Sequence, residues 1–465
     1  MTRQPFLLFF IIISQSQAQP SDSASAPLSL AQGLKTISRI EYDLPVYDYP
    51  FNGYSGYSFP SMHQSLVLTS DLSRGLHWTI AKIGTSDSSG GRSMRSLFLS
   101  VGMTFSELLM ISFPGGYSWL HEEWHRAILT SHGISSYNGV YDFNILSNAI
   151  PVSHVTDGDL IALKRDHPQD FIRLSEAGNE AQIELARSLR KELFFNRSDC
   201  FLDWVTLLIN TFSPASYVFM CSMPYADVLT AEIEKEEGSD VSKRDILGMD
   251  FTAWVYDLYR PNEPYAARGI HPSDSGISRY IKRTRLTKNE SDYLLLQGLL
   301  AWVNVFNPQM AMRNRFAASN PVTHNPLFWN VALVHHLTPF GFTIDADVMT
   351  KSGDLNLYYT LHNFCNRNNY FPGVTLGMDD LPFSLAGVKM YGSAELDSWL
   401  QPENLLFDSQ KARTGYAASL ELKIAVRKHV LITGSASSKS AGWKAGEVSL
   451  GKSIGATAGV SVWWP

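Results

Sequence analysis

The spacing of apolar residues changes from a helical repeat to strict alternation near residue 320, and this change constrains the fold of the 465-residue chain more than any other feature. Before it, in stretches such as 169–195 and 291–306, apolar residues recur every three or four positions, which is typical of amphipathic helices. After it, they alternate with polar residues, which is typical of strands. The chain is therefore predicted to be an α+β protein, with a mainly helical domain at 19–320 and an antiparallel β domain at 321–465.

The β domain is predicted to contain about eight or nine strands joined by short turns. This number includes weaker candidates near Leu327, Pro372, Val430 and Lys444. The clearest strand runs from Ile454 to Trp464, where every second residue is apolar. A meander of this kind has one uncharged face and one polar face. Either the apolar face packs a soluble core, or it meets lipid in an outer-membrane barrel. Strand lengths near ten residues, aromatic residues at strand ends and small residues on the polar side favour a small outer-membrane barrel of about eight strands.

The last strand of the sequence also favours an outer-membrane barrel. The last strand, ending in Val462-Trp463-Trp464, resembles the closing strand of Gram-negative outer-membrane proteins, which usually ends on an aromatic residue. Pro465 after it departs from that pattern. The resemblance implies an outer-membrane location, with membrane lipid as a partner of the β domain.

Residues 1–18 have the layout of a secretory signal peptide. Arg3 precedes the apolar stretch 6–13, and Ser16-Gln17-Ala18 forms a small-x-small cleavage site. The apolar stretch is too short to anchor the chain in a bilayer. The mature protein is therefore expected to be exported, to the outer membrane or, alternatively, to the periplasm or the medium.

Composition excludes two classes of protein. A net charge of -6 and a pI near 6.1 provide no basic field for nucleic acid, so nucleic-acid binding is not expected. The only cysteines are Cys200, Cys221 and Cys365, which is too few for a disulfide-built scaffold in a chain of this size. Cys200 and Cys221 could pair, which the spacing alone does not establish.

The strongest clue to chemistry is His-Glu-x-x-His at residues 121–125. On a helix, positions four apart share a face, so His121 and His125 can reach one metal ion while Glu122 points toward the water that the metal activates. Pro114-Gly115-Gly116 ends the preceding helix, which places the motif near the start of its own helix. The alternative is a helix that merely carries two surface histidines.

The motif resembles that of the zincin metallopeptidases. In the metzincin branch a glycine would stand at Ile128, and His132 lies one residue beyond the expected third histidine. The resemblance is therefore to the gluzincin branch, which implies Zn²⁺ and a carboxylate ligand from a second helix. Glu176, Glu180 and Glu184 share one helix face, and Glu180 is the expected ligand because small residues flank it. A solvated acidic stripe is the alternative for these three residues.

These observations predict an exported zinc-dependent metallopeptidase that hydrolyses peptide bonds at the cell envelope, with a protein or peptide substrate and Glu122 as general base. Tyr137, Tyr141 and His154 are candidate donors to the oxyanion.

Two alternatives remain open. The first is a non-enzymatic outer-membrane structural or transport protein, in which the histidine motif is fortuitous or degenerate. The second is an intramembrane protease, which Glu123, Arg126 and the break at Pro114-Gly115-Gly116 disfavour because charge and broken helices are costly in lipid.

Overall fold

A computed structural model describes residues 40–56, 59–86, 101–102, 104–111, 113–143, 151–196, 201–319 and 326–464. The helices are α1 (Phe51–Ser55), α2 (Met62–Ser86), α3 (Tyr117–Ser131), α4 (Asp157–Asp166), α5 (Pro168–Phe195), α6 (Phe201–Cys221), α7 (Tyr225–Glu237), α8 (Asp250–Tyr259) and α9 (Lys288–Leu300). Residues 104–111 are also helical.

The strands are β1 (Ile40–Tyr49), β2 (Tyr137–Asn138), β3 (Val152–Ser153), β4 (Phe316–Ser319), β5 (Pro326–Thr338), β6 (Gly341–Ser352), β7 (Leu355–Cys365), β8 (Tyr370–Leu385), β9 (Val388–Pro402), β10 (Ala412–Arg427), β11 (Val430–Lys439) and β12 (Ser453–Trp464). Apart from the small β2–β3 pair, they form one ten-stranded antiparallel sheet in the order β1-β12-β11-β10-β9-β8-β7-β6-β5-β4. The prediction of helices followed by an antiparallel meander is confirmed at this level.

The sheet differs from the prediction at both ends. β1 lies in the region expected to be helical, yet it pairs antiparallel with β12, with Tyr42 opposite Val462. β4 adds a short strand beside β5. In the described part of the chain the sheet therefore has ten strands rather than about eight, and both edge strands lie before the predicted boundary at 320/321. These edges, β1 and β4, do not pair with each other, so the sheet is open and the predicted closed barrel is not shown. Lys444, near which a weak strand was predicted, lies in the loop between β11 and β12.

The polar face of the sheet is the face that is covered by helices. In β6, Thr343, Asp345 and Asp347 are buried, whereas the alternating apolar residues are only partly buried. Farther along the sheet, large apolar side chains on the opposite face are mostly exposed, among them Leu361 at 58% and Leu420 at 66%. The sheet thus turns its apolar face away from the protein, which is the reverse of a soluble sandwich.

Helix α5 lies against the polar face and neutralises its charge. Arg187 contacts Asp345 at 2.8 Å and Asp347 at 3.1 Å, and Arg190 contacts Asp347 at 3.0 Å. Lys191 sits over the ring of Tyr358, 3.4 Å from its centre. Buried charges are tolerated only when they are paired, so these contacts fix α5 on the sheet.

The core of the helical part is built around α3 and α5. Leu120 and Trp124 on α3 pack in one cluster with Phe171, Leu174 and Leu185 on α5, and all are fully buried. Among the described residues, one helical window, 203–221 in α6, is long and apolar enough to cross a membrane, and 56% of it is buried inside the protein.

Several predictions lie outside the described residues. These are the signal peptide at 1–18, Cys200 and Pro465. Of the other two cysteines, Cys221 and Cys365 are both buried and free.

Candidate metal centre

The motif helix begins where the sequence predicts. α3 starts at Tyr117 directly after Gly116, and a Cβ at Gly116 would lie 2.1 Å from the carbonyl oxygen of Met110. Only glycine permits so close an approach to the preceding helical segment. His121 and His125 then lie one turn apart on the same face of α3, with ring centres 4.9 Å apart.

The two histidines face α5 at the point where that helix has no side chain. A Cβ on Gly178 would lie 2.2 Å from Nε2 of His121, so the imidazole occupies the space that any other residue would fill. Gln182, one turn along α5, lies beside the same ring and acts to raise its pKa. The close approach of α3 and α5 that small residues predicted is present.

Asp250, the first residue of α8, completes the cluster. Its Oδ2 lies 3.2 Å from Nε2 of His121 and 3.7 Å from Nε2 of His125, and the three ligand atoms lie within 4.8 Å of one another. Ligand atoms bound about 2.0 to 2.1 Å from a tetrahedral ion are separated by about 3.3 to 3.4 Å. The two imidazoles and the carboxylate are thus spaced as ligands of one ion.

The tautomer of His125 suits a ligand. Its Nδ1 donates to the backbone carbonyl of Leu174 at 2.5 Å, which leaves the lone pair of Nε2 directed toward Asp250. Histidines that bind metals in proteins are usually held by such a bond from the second ring nitrogen. Asp250 is held in turn, because its backbone N–H donates to the hydroxyl of Tyr217 at 3.3 Å.

Among the described residues around the two histidines, carboxyl groups outnumber cationic side chains. Burial raises the pKa of Glu122 well above its ordinary value, and the charges of Asp245 and Asp250 raise it further. Burial and the nearby Asp250 also raise the pKa of Asp245 to about 7. Although burial acts against ionisation of Asp250, the neighbouring imidazoles of His121 and His125 lower its pKa to about 2. Converging acids of this kind repel one another, and a divalent cation would relieve the repulsion.

The pKa values of the two imidazoles are shifted in opposite directions. Burial lowers the pKa of His121, and the hydrogen bond that its Nε2–H donates to Asp250 offsets only part of that effect. Burial also acts to lower the pKa of His125, but the neighbouring carboxylate of Asp250 outweighs burial and raises the pKa. Glu122 stands beside this pair, and no residue of the described part of the chain hydrogen-bonds its carboxyl group. It is therefore available to a bound water or substrate.

The structure does not bring Glu180 to the histidines, which corrects the expected third ligand. The carboxylate of Glu180 accepts from Arg173 at 3.0 Å and from the backbone N–H of Gly446 at 2.8 Å. Glu180 is two positions from Gly178, about 200° around the helix, so it points away from His121. Asp250 occupies the position expected for Glu180.

The other two glutamates of the stripe also lie elsewhere. Glu184 pairs with Arg187 at 2.8 Å and lies 3.4 Å from Nε2 of His336. Glu176 is buried, with a pKa raised by burial and by the charge of Glu180. The stripe is neither a ligand set nor a solvated surface; it is a buried structural element that faces the sheet and its loops.

The predicted oxyanion donors form a separate group. The hydroxyl of Tyr141 accepts from Trp119 Nε1 at 2.9 Å and donates to Glu123, while Tyr137 donates to Asp142 at 2.8 Å. His154 packs on the ring of Tyr137. No contact among the described residues links these three side chains to the metal ligands. Tyr217, whose ring centre lies 6.3 Å from that of His121, is the tyrosine at the site.

Two residues of the site, Asp250 and Tyr217, were not predicted from the sequence. Asp250 is one of 44 acidic residues and opens a helix, where an acidic residue is favoured by the helix dipole in any case. Tyr217 lies in an apolar helix and has the pattern of a core residue. No local signal distinguishes either one. The chain matches no protein-family model, no curated protein and no solved structure.

Proposed function

We propose that the protein is an exported zinc-dependent metallopeptidase that hydrolyses peptide bonds at the cell envelope, with His121, His125 and Asp250 as ligands and Glu122 as general base. The observation that carries the proposal is the convergence of Asp250 on both motif histidines, at 3.2 and 3.7 Å. Two imidazoles and a carboxylate with one open position are the ligand set of a catalytic zinc site. The motif resembles that of the zincins, with an aspartate in place of the gluzincin glutamate.

When bound, a Zn²⁺ ion lowers the pKa of a water molecule that it holds and polarises a carbonyl group. The chain supplies the remaining functions. Glu122 accepts the proton of the attacking water and returns it to the leaving amine. Leu174 orients His125 through its carbonyl, and the hydroxyl of Tyr217 accepts from the backbone N–H of the ligand Asp250 and so holds it in place. Holding these groups in place before substrate binds reduces the reorganisation that the reaction requires.

The sheet supports the proposed location at the cell envelope. Its apolar face is exposed along several strands, whereas its polar face is covered by α5. Exposed aromatic residues such as Tyr370, at the start of β8, and Tyr49, at the end of β1, lie at strand ends. An apolar outer band with aromatic ends and a polar interior is the arrangement of an outer-membrane barrel. We therefore propose that the sheet inserts in the outer membrane, with lipid against its apolar face and α5 inside.

The test compares Asp250→Asn and Glu122→Gln in the purified full-length chain. Metal content is measured by mass spectrometry and peptide cleavage on unfolded casein. Asp250→Asn is expected to lose one bound zinc relative to the wild type and to lose cleavage. Glu122→Gln is expected to keep that zinc but to lose cleavage by about 10²- to 10⁴-fold. Asp142→Asn, which alters a carboxylate away from the site, is the matched control.

The second candidate function is that of a non-enzymatic structural or transport protein of the outer membrane. The observation that favours it is α5, which fills the polar side of the sheet as a plug would. In that case His121 and His125 form only a buried ion pair with Asp250. Zinc content unchanged in Asp250→Asn, together with casein cleavage at background level in the wild type, would favour this function over the peptidase.

A further inference from the structure

A second group of metal-ligating side chains lies at the other end of the α3–α5 pair. His132 is the C-cap residue of α3, His167 is the N-cap residue of α5, and Asp170 lies in the first turn of α5. One ligand atom from each of the three lies within 4.8 Å of the other two. The group shares no residue with the centre at His121, His125 and Asp250.

Its geometry matches that of the first centre. Nε2 of His132 lies 3.4 Å from Oδ2 of Asp170, which is the separation of two ligands on one tetrahedral ion. The rings of His132 and His167 are 4.4 Å apart, so the second imidazole approaches the same point. An ion pair between one histidine and one aspartate does not require a second imidazole at that distance.

The group is open to solvent. His167 is exposed, and the side chains of His132 and Asp170 are each 18% exposed. His167 and Asp170 also line a cavity of about 240 Å³, whose far wall is formed by Trp399 and Gln401 of the sheet. An ion can reach the three side chains from this cavity, and a water molecule or a small anion can occupy its remaining position.

We propose that His132, His167 and Asp170 bind a second divalent transition-metal ion, with Zn²⁺ as the ion that two imidazoles and one carboxylate suit. Three protein ligands leave the fourth position open toward the cavity. The site joins the end of α3 to the beginning of α5. Asp170 is one helical turn from Leu174, whose carbonyl holds His125, so an ion bound here stabilises the helix pair that carries the first centre.

The proposal does not depend on peptidase activity. It is tested by equilibrium dialysis of the full-length chain against zinc alone, followed by measurement of bound zinc per chain. The wild type is expected to bind two ions, Asp250→Asn one, His167→Ala one, and the double variant none. In the Asp250→Asn background, His167→Ala is expected to weaken zinc binding on the order of 100-fold or more, since loss of an outer-shell partner alone costs 10- to 100-fold.

His167→Ala should not perturb folding, because its side chain makes no capping bond to α5. Circular dichroism in the presence of a chelator verifies this, and Asp170→Asn provides an independent variant. His429→Ala, far from both groups in the hairpin turn between β10 and β11, is the control for loss of a histidine. Zinc binding by the Asp250→Asn variant that persists unchanged after His167→Ala and after Asp170→Asn would overturn the proposal, as would a wild type that binds one ion and loses it with Asp250→Asn. The second of these outcomes leaves the first centre intact.

Discussion

Gly178 sets the distance between the motif helix and α5. Its substitution by alanine would place a Cβ 2.2 Å from Nε2 of His121, so the imidazole must leave the position in which it contacts Asp250. We expect Gly178→Ala to weaken zinc binding at the first centre at least tenfold, measured by competition with a chromophoric chelator. The variant should bind zinc less tightly even though alanine favours a helix by about 1 kcal/mol over glycine.

Gly158→Ala is the matched control. Gly158 also lies inside a helix, α4, and the nearest atom to a Cβ there is the hydroxyl of Thr156 at 3.6 Å. This substitution should leave zinc affinity unchanged and raise stability slightly. Equal zinc affinities for the two variants would mean that His121 is not a ligand in the position the structure gives it.

His77 is a buried cation whose effect depends on pH. Its Nδ1 contacts Asp203 at 2.8 Å and its Nε2 contacts Glu107 at 3.1 Å. Burial lowers the pKa of His77, but the hydrogen bonds and charges of the two carboxylates outweigh burial and raise the pKa to about 9. The charged His77 therefore stabilises the folded protein fully below pH 6.5. This stabilisation declines as the pH rises from 6.5 to about 9 and is absent at higher pH.

We expect His77→Gln to lower the free energy of unfolding by about 3 to 5 kcal/mol at pH 6, because it removes the buried positive charge that contacts both Asp203 and Glu107. The difference from the wild type should shrink by pH 10. Urea unfolding at both pH values measures it, with the exposed His154→Gln as control. A difference that grows with pH would contradict the assignment of a charged imidazole.

The loop between β11 and β12 connects the sheet to the metal centre. Arg173 donates to the backbone carbonyl of Val448 in this loop at 3.0 Å and to Glu180 at 3.0 Å. Glu180 also accepts from the backbone N–H of Gly446. The next residue after Arg173 is Leu174, which holds His125. The loop therefore supports the turn of α5 that orients a ligand.

Glu180→Gln separates this structural function from the ligand function that the sequence predicts. The amide keeps an acceptor for Gly446 but removes the charge that faces Arg173. We expect an apparent Tm several degrees lower with zinc affinity within a few-fold of the wild type, whereas Asp250→Asn loses that zinc. Calorimetry and dialysis on the two variants measure this. Loss of one zinc from Glu180→Gln with an unchanged Tm would restore Glu180 as a ligand.

At the scale of the whole molecule, the exposed apolar face of the sheet predicts where charge is tolerated. Leu420 lies mid-strand in β10, opposite Ala394 and Ala436 of the neighbouring strands, and is 66% exposed. We expect Leu420→Lys to destabilise the protein in phospholipid vesicles by about 2 to 4 kcal/mol, because a lysine there meets the middle of the bilayer. Urea unfolding of vesicle-reconstituted protein measures this.

Val388→Lys is the depth control, since Val388 begins β9 at the hairpin turn with β8. The cost of lysine near the membrane surface is about 0 to 1 kcal/mol. If the apolar face instead meets water, both variants should lie within about 0.5 kcal/mol of the wild type, as exposed substitutions usually do.

The local parts of the fold were predictable because each rests on a short-range repeat. The helical spacing of 169–195 closely matches α5 at Pro168–Phe195, and the Pro-Gly-Gly break correctly places the start of α3. The alternation beyond residue 326 matches strands β5 to β12 in type, apart from the loop around Lys444. β1 was missed because its ten residues lie among helical segments and pair with a strand more than 400 positions away.

Two features could be predicted from local patterns: His121 and His125 share one helix face with Glu122 between them, and a helical region precedes an antiparallel sheet. Both follow from periodicities of 3.6 and 2 residues, which act over a few positions. Folding of the whole chain brings Asp250, 129 positions from His121, into the cluster in place of Glu180. It also turns the polar face of the sheet toward α5. Such contacts depend on how whole elements pack, and no repeat within an element encodes them.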